Sequence, residues 1–184
     1  MQNFKLEPVT EISSIFISMG FFDFEQAFQY IRSLPLLSLH DATGNYRSVL
    51  DEQRGTNSSK HGVLAHLIES HGVEELHLMV GILLPEKSLL RELGMDIAQL
   101  ETERVPVAYS FLRENGRRLS CMGHLAEISL LEKYLVREQR CEAQQMITWK
   151  PVILNNFLEN GCKRNDQVHN IQLFREVNLN VLFQ

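Results

Sequence analysis

Two segments, Val105 to Arg113 and Arg117 to Met122, flank the pair Asn115-Gly116. A two-residue type I′ turn needs positive φ at both central positions, and Asn-Gly tolerates that backbone better than most pairs. The pattern predicts a β-hairpin and fixes its register. Glu114 falls opposite Arg117, Leu112 opposite Leu119 and Phe111 opposite Ser120. Tyr109 then faces Met122 and lies diagonal to Ser120 on one side of the sheet, close enough for the side chains to meet. Cys121 is expected on the other side.

Around the hairpin the pattern is helices, then strands, then helices. Asp23 caps a helix, with Gln26 three residues on as a capping-box partner. Phe24, Ala27, Phe28 and Ile31 give it one apolar face, and it stops before Pro35. Residues Ser38 to Tyr46 are turn-rich and read as a loop. A second helix opens in Gly55-Thr56-Asn57-Ser58-Ser59, buries Val63, Leu64, Leu67 and Ile68, and ends at Gly72. Glu75 to Leu84 reads as a strand covered on both faces and ended by Pro85. A short helix spans about Leu89 to Leu93, with Gly94 as its stop. Further helices are predicted over about Leu125 to Glu138 and from Pro151 onward. This order indicates an α+β fold rather than alternating βαβ units.

The length suits one domain, taken as residues 1–178. The last six residues, Leu179 to Gln184, match the stub left when a 3C-type viral protease removes a C-terminal tag, apart from Asn180. They are read as a protease-site remnant, outside the fold. A formal charge of −5 argues against nucleic-acid and anionic-membrane partners, which need a basic surface. No apolar run is long enough to span a bilayer. Cys121, Cys141 and Cys162 are odd in number and lack CxxC spacing, which fits reduced thiols in a cytoplasm. No glycine-rich phosphate loop or dinucleotide fingerprint is present, and no cofactor is expected.

Three blocks carry a family resemblance. The run Arg54-Gly55-Thr56-Asn57-Ser58-Ser59-Lys60-His61 leads into the apolar helix, and the next strand contains Gly81-Ile82. Val105-Pro106-Val107-Ala108-Tyr109-Ser110-Phe111-Leu112 and Asn115-Gly116-Arg117-Arg118-Leu119-Ser120 follow in order. These resemble the Gly-Thr-Cys-Ser-Ser-Lys-His, Ile-Pro-Glu-Ala-His-Cys-Tyr-Leu and Asn-Gly-Lys-Arg-Ile-Asp blocks of bacterial proteins in the transglutaminase-like superfamily of papain-related cysteine hydrolases. Weaker likeness covers Leu34-Pro35, Val49-Leu50 and Gln144 to Leu158, so the resemblance spans most of residues 20–160. It implies a nucleophile-position helix packed on a small antiparallel sheet with flanking helices. It also implies a thiol activated at a helix N-terminus, a histidine on one strand and an aspartate on the next.

At those positions this chain has Asn57, Tyr109 and Ser120. A carboxamide is no useful nucleophile, a phenol is a poor base near neutral pH, and a serine cannot stabilise an imidazolium. Triad members act as a unit, so the pattern reads as a degenerate triad. Apart from the family, Asn57 or Ser58 serves as a helix cap, and Tyr109 and Ser120 are ordinary strand residues.

The leading expectation is therefore a pseudoenzyme that binds a protein or peptide in its former cleft, through Asn57, Ser58, His61, Tyr109 and Ser120. A second is a reassigned amidase or esterase using Ser58 with His61, three residues apart, or Cys121. A third is a structural subunit with an interface over Ile15-Phe16-Ile17 to Phe24. Of His61, His66, His71 and His77, the first three step by five around a helix, a spacing unsuited to zinc, and the four read as surface residues. No metal is expected. Phe21, Phe22, Phe24 and Trp149 read as core.

Overall fold

The computed structural model describes residues 1–40, 45–92, 102–122 and 132–161. Helix α1 (Glu11–Ser18) opens on a box in which the Thr10 hydroxyl accepts from the Ser13 N–H and the Ser13 hydroxyl accepts from the Thr10 N–H. The helix was not legible as such, because its cap uses serine where the familiar box has Glu or Gln. Its Ile12 and Phe16 are core residues, as is Phe24 in α2 (Phe24–Ser33). Of the segment expected as an interface, Phe16 and Phe24 are thus part of the protein's own interior, while Met19 and Phe22 are exposed.

Helix α2 is capped by Asp23, whose carboxylate accepts from the Gln26 N–H at 2.9 Å. Gln26 does not complete the box, since its Oε1 accepts from the Phe22 N–H one residue earlier. A short α3 (Arg47–Asp51) follows and was not foreseen. Of the expected Ser38–Tyr46 loop, residues 41–44 lie outside the described residues.

Helix α4 (Asn57–Ser70) is the centre of the molecule. Thr56 caps it in a box with Ser59, so neither Asn57 nor Ser58 is the cap. It touches α1, α2, α3 and the sheet, and so its first nine residues are all buried. A helix enclosed on all sides loses the usual polar face. Gly72, with φ +64°, ends it as expected.

Strands β1 (Leu76–Leu83), β2 (Val107–Glu114), β3 (Arg117–Leu119) and β4 (Leu135–Arg140) form one antiparallel sheet in the order β3-β2-β1-β4. Helix α5 (Lys87–Glu92) lies between β1 and β2 in the chain; Leu93 and Gly94 lie outside the described residues. Asn115 and Gly116 both have positive φ, and the register pairs Glu114 with Arg117 and Leu112 with Leu119, as predicted. The ladder stops at Leu119, so Phe111–Ser120 and Tyr109–Met122 are not strand pairs.

The expected helix over Leu125 to Glu138 is corrected in its last part. Residues 135–140 are an edge strand on β1, and 123–131 lie outside the described residues. The run is rich in helix formers, but β1 had a free edge to satisfy, and pairing outweighs propensity. Glu138 ties the sheet together, bonding to Arg113 at 2.7 Å and Arg118 at 3.0 Å. Gly81 between them leaves room, since a Cβ there would come within 2.7 Å of Leu135 and 3.0 Å of the Phe111 ring.

The final helix α6 (Met146–Gly161) follows a 3-10 turn at Ala143–Gln145 and starts five residues before Pro151. The proline sits inside it, at the loss of one backbone hydrogen bond. Phe22 and Trp149, read as core, are 56% and 36% exposed. The architecture is a mixed α+β fold, with six helices and one four-stranded sheet among the described residues. The proposed protease remnant lies outside the described residues.

Candidate functional site at the start of helix α4

Asn57 occupies the first position of α4, and its carboxamide reaches the edge of β2. Its Oδ1 accepts from the Ser110 N–H at 2.7 Å, and its Nδ2 donates to the Ser110 carbonyl at 3.0 Å. Continued past Leu112–Leu119, the hairpin register would pair Ser110 with Cys121. The side chain of a helix residue takes the place of that strand pair.

His61 takes the other half of the missing pair. One turn after Asn57 and fully buried, it donates from Nδ1 to the Asn57 carbonyl at 2.8 Å and accepts from the Cys121 N–H at Nε2, at 3.2 Å. Both ring nitrogens are occupied, which fixes the neutral tautomer. Burial pushes its pKa down to about 3, with Lys150 and Lys60 acting in the same direction against the bond to Asn57. The expected surface histidine is a core histidine. It cannot serve Ser58 as a base, which removes the Ser58–His61 pair.

Tyr109 and Ser120 meet as the diagonal register required, hydroxyl to hydroxyl at 2.8 Å. Burial pushes the phenol's pKa up, so the pair forms a neutral hydrogen bond. The Tyr109 ring lies edge-on to His61, with centroids 6.4 Å apart. Asn57 and Tyr109 therefore both meet His61, and Ser120 is joined to them through Tyr109.

Cys121 is buried, and burial pushes its thiol up to about 12 even though Lys60 opposes the shift. Such a thiol is inert at neutral pH, and this removes the reason to read Cys121 as a nucleophile. Cys141 is likewise buried and pushed up to about 11.

Two lysines missed in the sequence complete the site. Lys60 donates to the Leu34 carbonyl at 2.9 Å and the Arg32 carbonyl at 3.4 Å, closing the C-terminal end of α2. Lys150, 2% exposed, places Nζ 3.0 Å from both Asn57 Oδ1 and Ser58 Oγ. Burial pushes the Lys150 amine down to about 7. Among the described residues no carboxylate forms an ion pair with either lysine. The signal for Lys150 was its place in Met146, Lys150, Ile153, Leu154 and Leu158, a buried stripe on α6. Starting that helix at Pro151 cut the lysine off from its stripe.

Asn57 and Ser58 are each 9% exposed, so the site opens to solvent by a narrow window. A pocket of about 650 Å³ lies elsewhere, at the far end of α4, beside Ile68, Glu69, Gly72, Arg140 and Glu142. Among the described residues, no three His, Cys, Asp or Glu side chains gather to hold a metal. No helix among them is long and apolar enough to cross a membrane. Compared with protein-family models, curated proteins and solved structures, the chain matches none.

Proposed function

We propose that the chain is a transglutaminase-like scaffold that has given up thiol chemistry and recognises a protein or peptide segment at the start of α4. The observation that carries this reading is the Asn57 carboxamide. It stands where the resemblance expects a thiol, and both its polar atoms are bound to the Ser110 backbone. The frame around position 57 supports the same reading. Asn57 begins a helix beside the strand that carries Tyr109, and Tyr109 meets Ser120, which is compatible with the frame that the resemblance implies, without its reactive groups. A site with this frame and no thiol retains its shape, which suits recognition.

The test is a peptide-display selection on the folded chain, followed by hydrogen exchange of the selected complex. Added protection is expected over residues 56–61 and 105–111. Protection confined to other segments would overturn the reading. So would turnover of a glutamine peptide that is abolished by a maleimide.

A further inference from the structure

We propose that Ser58 and Lys150 form a nucleophile–base pair that transfers the acyl group of small carboxylic esters, with Asn57 as the positioning residue for the amine. This goes beyond peptide recognition and does not depend on it, since it uses a hydroxyl rather than the lost thiol.

The geometry is that of an activated serine. Ser58 Oγ lies 3.0 Å from Lys150 Nζ, within reach for direct proton transfer. A base must also be held in place, and the same Nζ is 3.0 Å from Asn57 Oδ1. That oxygen is itself fixed by the Ser110 N–H at 2.7 Å. The amide oxygen can only accept, so a neutral amine spends a hydrogen on Asn57 and turns its lone pair toward Ser58. Serine–lysine pairs are a known variant of triad chemistry.

Burial supplies the required protonation state. The amine is pushed down to about 7, so a large share is neutral at physiological pH. His61 cannot compete as base, because both its nitrogens are engaged. The backbone offers anion stabilisation beside the nucleophile. The Ser59 N–H is taken by Thr56 Oγ1 and the Lys60 N–H by the Thr56 carbonyl, which leaves the amides of Asn57 and Ser58 at the positive end of a 14-residue helix. Ser58 is 9% exposed and Lys150 2%, so the pair suits only a small acyl group.

In the first step the Ser58 hydroxyl proton passes to neutral Lys150 as Oγ bonds to the ester carbonyl carbon. The bond to the leaving alkoxide then breaks, and the Lys150 ammonium returns the proton to it, releasing an alcohol and leaving an acyl ester on Ser58. In the second step water attacks that ester and Lys150 takes the water's proton. Ser58 Oγ leaves and is reprotonated, and the carboxylic acid is released.

The experiment incubates the full chain with p-nitrophenyl acetate, following nitrophenol release and locating the acetyl group by peptide mapping. An acetyl group on Ser58 is expected, with a rate that rises with pH and levels off above about 7. Lys150→Met should lower the rate about 10²–10⁴-fold and erase the inflection. Ser58→Ala, which leaves the Thr56–Ser59 cap intact, should abolish the adduct, and circular dichroism checks that both variants fold. Should Lys150→Met fail to fold, the wild-type pH profile together with Ser58→Ala decides the matter. Acetyl groups only on other side chains, no acetylation at all, or an unchanged rate in Ser58→Ala would overturn the proposal. Peptide recognition without acylation would overturn it too, while leaving the binding reading intact.

Discussion

Asn57 and Ser110 are joined by two hydrogen bonds of the kind that a neighbouring strand would make, although Asn57 belongs to a helix. Helix α4 is thereby fastened to β2 at the point where β3 gives out.

Asn57→Ala removes that link and strands the Ser110 N–H and carbonyl in a buried place, along with one acceptor for Lys150. Each buried group left without a partner costs about 1–3 kcal/mol. The variant should melt well below the wild type in calorimetry; a midpoint almost unchanged would mean that the Ser110 groups do not depend on Asn57.

Two buried bases make stability climb with pH. His61 is held down to about 3 and Lys150 to about 7, whereas an unfolded chain holds their protons up to about 6.5 and 10.5. The unfolded state therefore binds more protons between about 3 and 6.5 through His61, and between about 7 and 10.5 through Lys150. Stability rises with pH in both windows, by up to about 1.4 kcal/mol per pH unit for each group. Urea midpoints measured from pH 4 to pH 9 should rise throughout. Lys150→Met should flatten the part above pH 7, and a wild-type midpoint already flat there would contradict the assignment.

Gly62→Ala should destabilise the fold even though alanine is the better helix former. A Cβ at Gly62 would overlap the ring of Tyr46, whose hydroxyl donates to the Ala143 carbonyl and joins the start of α3 to the turn before α6. Overpacking of this kind costs about 1–3 kcal/mol, against the ~1 kcal/mol that propensity returns. Chemical denaturation of the variant gives the sign directly.

The triple variant Asn57→Cys, Tyr109→His and Ser120→Asp tests the vestigial triad. A thiol at the helix start beside an imidazolium should ionise at lower pH than in Asn57→Cys alone. Alkylation rates against pH measure the difference. Coincident profiles would mean that positions 109 and 120 do not act on position 57.

The hairpin was legible because Asn115-Gly116 states its own geometry, and local geometry carried the register as far as Leu119. From there on, tertiary contacts decide. Where the Ser120–Met122 segment leaves the ladder, Asn57 takes the hydrogen bonds of Ser110 and His61 that of the Cys121 amide, which no local pattern announces. Residues 135–140 look helical by themselves and become a strand only because β1 lacks a neighbour. The site divides in the same way. Asn57, Tyr109 and Ser120 were found through motif and register, while Lys60 and Lys150 were hidden because cations on an apolar stripe are read as surface until a helix is known to be enclosed.

The link between Asn57, His61 and the strand end also bears on how the molecule opens. The Ser110 and Cys121 amides are sheet amides by position, yet their acceptors lie on α4. Fraying of β3 leaves those two bonds in place, so both amides should exchange with solvent only when the first turn of α4 detaches. Helix start and strand end then belong to one cooperative opening unit, and the slowest-exchanging edge of this sheet is guarded by a helix.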